Sequence, residues 1–156
     1  MPTPIIRKAV TQDIKTIVGF NQDMALETES ITLDEGKLVS GVKGVFEDPE
    51  RGFYIVCEIE GIVRACLMIT CEWSDWRNGT FWWIQSVFVH KKYRNQGLYR
   101  LMYEFIKTQI DSDDQTVGVR LYVDEDNAMA QNVYMRLGMK KSNYQLFEYS
   151  KTKKKK

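Results

Sequence analysis

Three apolar, β-rich runs follow one another between residues 52 and 89, and they limit this chain to a sheet-centred fold. Phe53-Tyr54-Ile55-Val56-Cys57-Glu58-Ile59 and Ile62-Val63-Arg64-Ala65-Cys66-Leu67-Met68-Ile69 are separated only by Glu60-Gly61. Two β-branched runs around such a two-residue break predict a tight hairpin. After the polar break 74 to 79, Phe81-Trp82-Trp83-Ile84-Gln85-Ser86-Val87-Phe88-Val89 predicts a third, long and largely buried strand.

Helical spacing flanks this block. Ile14, Ile17, Val18, Met24 and Ala25 recur as one face of a helix that Thr11 can cap. Thr32 and Glu35 fit a capping box ahead of a second stripe, Leu38, Val42, Val45 and Phe46. Leu98, Leu101, Met102, Phe105 and Ile106 mark a third helix, and a strand over 117–123 follows it. A fourth helix runs from about Asn127 to Leu137, stopped by Gly138. A last strand is expected over about 144–149, and a short first one over 4–10. One late strand-helix-strand crossover between antiparallel hairpins predicts a mixed, largely antiparallel twisted α/β sheet of six to seven strands with about four helices.

With 156 residues, the length fits one domain, expected over 1–150, with a disordered Lys-rich tail at 151–156. The formal charge of +1 hides that tail: without its five lysines, 17 basic residues face 21 acidic ones, a net of −4. Such a body disfavours a nucleic-acid partner and favours a cationic substrate. No stretch approaches the ~18 consecutive apolar residues of a membrane span, and the N-terminus lacks a signal-peptide pattern, so a cytoplasmic location is expected. Cys57, Cys66 and Cys71 have neither paired spacing nor a nearby histidine, so neither a disulfide framework nor a metal site is expected.

The chemistry concentrates in Val87-Phe88-Val89-His90-Lys91-Lys92-Tyr93-Arg94-Asn95-Gln96-Gly97-Leu98-Tyr99-Arg100-Leu101, a strand entering a helix through a basic, glycine-bearing turn. A helix start offers unpaired amides and a positive dipole end, which together suit a pyrophosphate. Gly97 allows phosphates close to the backbone. Neither the GxxxxGK[ST] nor the GxGxxG pattern is present. His90, the only histidine, reads as a turn residue.

Arg94-x-x-Gly97-x-Tyr99 after Val87-Phe88-Val89 resembles the acetyl-CoA-binding motif of the GNAT acetyltransferase superfamily, Arg/Gln-x-x-Gly-x-Gly/Ala, with Tyr99 departing from its last position. Downstream, the segment from Asn127 to Met139 resembles that family's Asn-x-x-Ala-x-x-x-Tyr-x-x-x-Gly-Phe, with Met139 for the aromatic. The resemblance implies that Val87, Phe88, Val89, Arg94, Asn95, Gln96, Gly97, Leu98, Tyr99 and Asn127 bind acetyl-CoA. It also implies that Tyr134 protonates the departing thiolate and that a homodimer is an expectation. Asn127 and Tyr134 are two helical turns apart and share a face.

Transfer to an amine also needs a base, since an alkyl ammonium has a pKa of about 10.4. Many family members carry glutamate near Gln85, and glutamine cannot take that role. Glu72 is the leading candidate, with Glu27 and Glu29 or water as alternatives. Glu27, Glu29, Trp76 and Gln85 are candidate acceptor contacts, the tryptophan as a cation-π wall. Trp82 and Trp83 fit packing better. The expected activity is acetylation of a small cationic amine by direct attack. A protein amine acceptor and a non-catalytic acetyl-CoA-binding regulatory module are the alternatives.

Overall fold

The computed structural model describes residues 2 to 151. The chain divides into two compact units at Tyr122/Val123. The expected Lys-rich tail lies, but for Lys151, outside the described residues.

The first unit holds strand β1 (Ile5–Lys8), helices α1 (Ile14–Glu29) and α2 (Glu35–Glu47), strands β2 (Gly52–Ile59), β3 (Ile62–Ser74) and β4 (Gly79–Val89), helix α3 (Leu98–Asp111) and strand β5 (Thr116–Leu121). The sheet runs in chain order, β1-β2-β3-β4-β5. Its first three pairings are antiparallel and β4–β5 is parallel, across the α3 crossover the sequence predicts. The β2–β3 hairpin turns on Glu60 (φ 52°) and Gly61 (φ 78°), the two left-handed residues that match a two-residue loop to strand twist.

Tyr54, Ile55, Val56 and Cys57 are all buried, so both sheet faces are covered. On one face Tyr54, Val56, Cys66 and Phe88 form a core cluster with Ile17 and Phe20 of α1 and Val42 of α2. α3, with Leu98, Met102, Tyr103 and Ile106 buried, lies against β1, β2 and β5.

Two helix starts differ from expectation. Thr11 opens a short 3-10 turn, and the buried Asp13 does the anchoring: it accepts from the Val10 amide at 2.8 Å and from both Arg7 Nη atoms at 2.7 and 3.1 Å. For α2, Asp34 caps the helix through the Lys37 amide at 2.8 Å in place of the Thr32 box, because α2 begins one residue after it.

Arg7 also reaches Glu58 Oε2 at 3.0 Å, tying β1, β2 and the entry to α1. The Arg7 guanidinium foremost, then the Val10 amide, hold the Asp13 carboxyl below the usual carboxylate range against the desolvation that opposes them. Asp13→Ala should cost about 2 kcal/mol at neutral pH, as loss of a charge-assisted, partly buried network does. A depressed acid contributes stability above its unfolded pKa and loses it as pH falls through the folded value. Urea unfolding should therefore show the gap between mutant and wild type narrowing below about pH 4.

The second unit contains α4 (Ala128–Arg136), the fourth helix expected. Asn127 Oδ1 caps it through the Ala130 amide at 3.0 Å. At the other end Gly138 adopts φ 95°, its amide donates to Met135 O at 3.1 Å, and that of Met139 to Tyr134 O at 3.0 Å. This is the glycine stop expected there.

The sheet has five strands among the described residues, below the six to seven expected. Residues 144–149, expected as the last strand, carry neither helix nor strand. Tyr144, Phe147 and Tyr149 are 80%, 91% and 94% exposed. A β-rich composition marks a segment able to join a ladder, but a strand exists only where a partner supplies the hydrogen bonds.

Candidate active site

β4 does not alternate regularly. Cys66 pairs with Phe88 and Met68 with Gln85, so two residues of β3 span three of β4. Ser86, at φ 51°, absorbs the extra residue in a β-bulge. Gln85 and Phe88 thereby face the same side. Phe88 enters the core against Phe20, ring centroids 4.9 Å apart, and Gln85 Nε2 donates to Thr70 Oγ1.

Beyond α1, the same side of the sheet carries a row of polar and aromatic groups. Trp83 lies 4.5 Å from Tyr122 between ring centroids. Arg120 stacks on Phe81 at 3.6 Å and donates to Glu72 Oε1 at 2.8 Å. Glu72, the leading base candidate, is therefore ion-paired. Trp82 faces the opposite side and packs edge-on against Phe53, centroids 5.1 Å apart.

After Val89 the chain turns through a 3-10 segment, Lys91–Tyr93, which His90 Nδ1 caps by accepting from the Lys92 amide at 3.2 Å. His90 is thus a turn residue, as expected. Asn95 (φ 61°) and Gly97 (φ 79°) complete the turn in left-handed conformations. Gly97 is the N-cap of α3, and no side chain caps that end. The first-turn amides from Leu98 onward have no acceptor within the helix. A Cβ built on Gly97 meets nothing within 4 Å, so the backbone there is open. Tyr99 lies back along α3, its ring 6.4 Å from that of Tyr103. An open left-handed glycine before an uncapped helix start fits a diphosphate.

Arg94 is held on the α1 side of the turn. Its Nε donates to Val89 O at 2.8 Å and its Nη2 to Glu27 Oε2 at 2.7 Å. Lys91 Nζ is 3.9 Å from Glu27 Oε1. A cleft of about 280 Å³ opens here, lined by Asp23, Leu26, Glu27, Phe88, His90 and Lys91. Glu29 is exposed at the end of α1, and Trp76 is 93% exposed in the β3–β4 turn. Gln96 Nε2 donates to Lys92 O at 3.0 Å.

Tyr134 is half-buried on α4, and burial pushes its phenol above the usual tyrosine value. Burial likewise raises the Cys66 thiol to about 12 and that of Cys57 to about 11. Neither is a thiolate at neutral pH, which removes both as nucleophiles.

The acetyltransferase (GNAT) family model matches residues 18–139. The chain belongs to the GNAT acetyltransferase family. A GNAT protein of this kind is an acetyl-CoA-dependent N-acetyltransferase, and the motifs at Arg94–Tyr99 and Asn127–Met139 fall inside the matched span. Among solved structures, a possible acetyltransferase from Clostridium difficile 630 is 42% identical, with TM-score 0.90 over 96% of this chain and 98% of that one. Glucosamine-6-phosphate N-acetyltransferase from Arabidopsis thaliana shares the fold at 22% identity, TM-score 0.70, over 94% and 98%. A predicted acetyltransferase with acetyl-CoA from Clostridium acetobutylicum does so at 15% identity, TM-score 0.75, over 94% and 96%. No curated protein sequence matches this one.

The bulge at Ser86 and the partners Arg120 and Tyr122 escaped sequence reasoning. A bulge needs the register of the neighbouring strand to be seen, and Arg120 meets Glu72 only across β4. The turn itself was signalled by its basic residues, the Arg94-x-x-Gly97 spacing and the glycine between a buried strand and an amphipathic helix.

Proposed function

We propose that this GNAT protein acetylates a small cationic amine by direct attack in a ternary complex with acetyl-CoA. The observation that carries the reading is the open left-handed Gly97 ahead of the uncapped start of α3, at the end of bulged β4. The diphosphate lies on the turn of Arg94, Asn95, Gln96, Gly97, Leu98 and Tyr99. The pantetheine arm runs along the Val87, Phe88 and Val89 backbone and takes a hydrogen bond from Asn127. The single domain expected over 1–150 is kept in this reading, and the family match over residues 18–139 supports it.

The thioester is already activated, so the protein positions the amine and manages two protons. The amine nitrogen attacks the acetyl carbon, the C–S bond breaks, and Tyr134 donates its proton to the departing sulfur. The ammonium loses a proton to Glu72 through water, using the carboxylate oxygen that Arg120 does not hold. Acidic and aromatic groups suit a cation: Glu27, Glu29 and Asp23 at the end of α1, Gln85 and the Trp83–Tyr122 pair on the sheet, and Trp76 in the turn beyond. In this reading the protein works in the cytosol. Among the described residues no helix is long and apolar enough to cross a membrane.

One observation favours the regulatory-module alternative: Gln85 stands where many family members carry a glutamate base, and Glu72, the carboxylate left for that role, is ion-paired to Arg120. Thiol release over a panel of polyamines, amino acids, aminoglycosides and peptides separates the readings. Turnover on a small cationic amine supports the enzyme, turnover on peptides alone moves the acceptor to a protein, and binding without turnover leaves the module. The exposed aromatic run at 144–149 supports a homodimer, because exposed apolar strips of this kind are covered by partners. Light scattering checks the mass.

A further inference from the structure

Glu27 sits where a carboxylate is poorly placed. It lies in the last turn of α1, where no basic side chain balances the negative end of the helix dipole. Asp23, one turn earlier, adds a like charge on the same face and lines the same cleft. What compensates Glu27 comes from far away in the chain: Arg94 at 2.7 Å, 67 positions on, and more loosely Lys91 at 3.9 Å. Both cations belong to the turn assigned to the diphosphate. The Glu27 side chain is 28% exposed and that of Arg94 39%, so the pair is reachable from the cleft and open to exchange.

We propose that Glu27 couples the two substrates by changing partners. Before acetyl-CoA arrives, its carboxylate holds Arg94. The diphosphate then takes the guanidinium, and Glu27 is left beside Asp23 and the negative end of α1 with its strongest counter-charge withdrawn. That carboxylate receives a cationic group of the acceptor other than the amine that reacts. Cofactor binding therefore creates the amine site. Glu27 is a positioning residue towards Arg94 and a specificity residue towards the amine. The inference rests on the reading of the Arg94–Tyr99 turn as the diphosphate site.

The test is calorimetric titration of CoA into the full chain without acceptor, for wild type, Glu27→Gln, Arg94→Ala and the double variant. An exposed pair competing for Arg94 predicts that Glu27→Gln tightens CoA by about two- to fivefold. On the Arg94→Ala background the same change gives no gain, and Arg94→Ala alone weakens CoA. Steady-state kinetics of Glu27→Gln with the acceptor found in the amine panel should show its KM raised by tenfold or more, with kcat moved far less. Loss of Arg94 sensitivity would overturn the turn assignment itself. Retained Arg94 sensitivity with CoA affinity unchanged or weakened in Glu27→Gln would overturn the exchange alone, as would an unchanged amine KM. Melting curves of each variant confirm that affinity, and not folding, is what moved.

Discussion

Gly97→Asp should weaken CoA binding by about 100-fold or more while leaving the melting temperature within a few degrees of wild type. The two halves of that expectation have separate causes. Glycine at φ 79° is replaced at the cost of a left-handed conformation, about 1 kcal/mol, and aspartate is among the residues that tolerate it. Nothing lies within 4 Å of the new Cβ, so no clash adds to this. At an N-cap the carboxylate accepts from the first-turn amides and stabilises the helix, returning part of the loss. That same bond occupies the amides the diphosphate needs and sets a like charge beside it. Repulsion at about 4 to 5 Å near a protein surface is worth about 3 kcal/mol, or about 100-fold. Calorimetry against CoA, with a melting curve alongside, is the measurement. Wild-type affinity in the folded variant would remove α3 from the cofactor site. Gly97→Ala separates the contributions: it keeps the strain and the added Cβ but brings no charge, so its loss should be smaller.

Features with a local cause were legible in the residues. Glu60-Gly61 announces its hairpin because both positions need left-handed backbone, and Gly138 announces the end of α4 for the same reason. The crossover from β4 through α3 to β5 followed from the change of hydrophobic period at Gly97. Features set by distant partners were not legible. Arg94 reads as a phosphate ligand in its own turn, yet its guanidinium is bonded to α1. Glu72 reads as an unengaged carboxylate until Arg120 is placed on it across β4. Thr11 and Thr32 were plausible caps; Asp34 caps α2 through the Lys37 amide instead, and near Thr11 the Asp13 carboxylate turns back to the Val10 amide and Arg7. The strand expected over 144–149 has the residues of a strand without the ladder, which no one-dimensional pattern can provide.

Tyr134→Phe should lower kcat by about 100-fold or more with little change in the acetyl-CoA KM. Removal of one oxygen leaves the ring, its half-buried packing and the Met139 amide bond to the Tyr134 carbonyl intact, so α4 should keep its structure. What is lost is a proton donor, an effect of about 10² to 10⁴ in rate when the donor acts in the transition state. The donor is needed as thiolate charge develops, not when the thioester binds, which is why the loss falls on kcat. Burial raises the phenol above its usual value and so keeps it protonated throughout the neutral range. An acid must carry its proton to work, so the wild-type rate should fall only at alkaline pH beyond about 10, and the variant should lack that falling limb. Single-turnover quenching should be used, so that product release does not hide the chemical step. A variant with the wild-type single-turnover rate would remove Tyr134 as the acid and leave the thiolate to depart unprotonated or to take its proton from water.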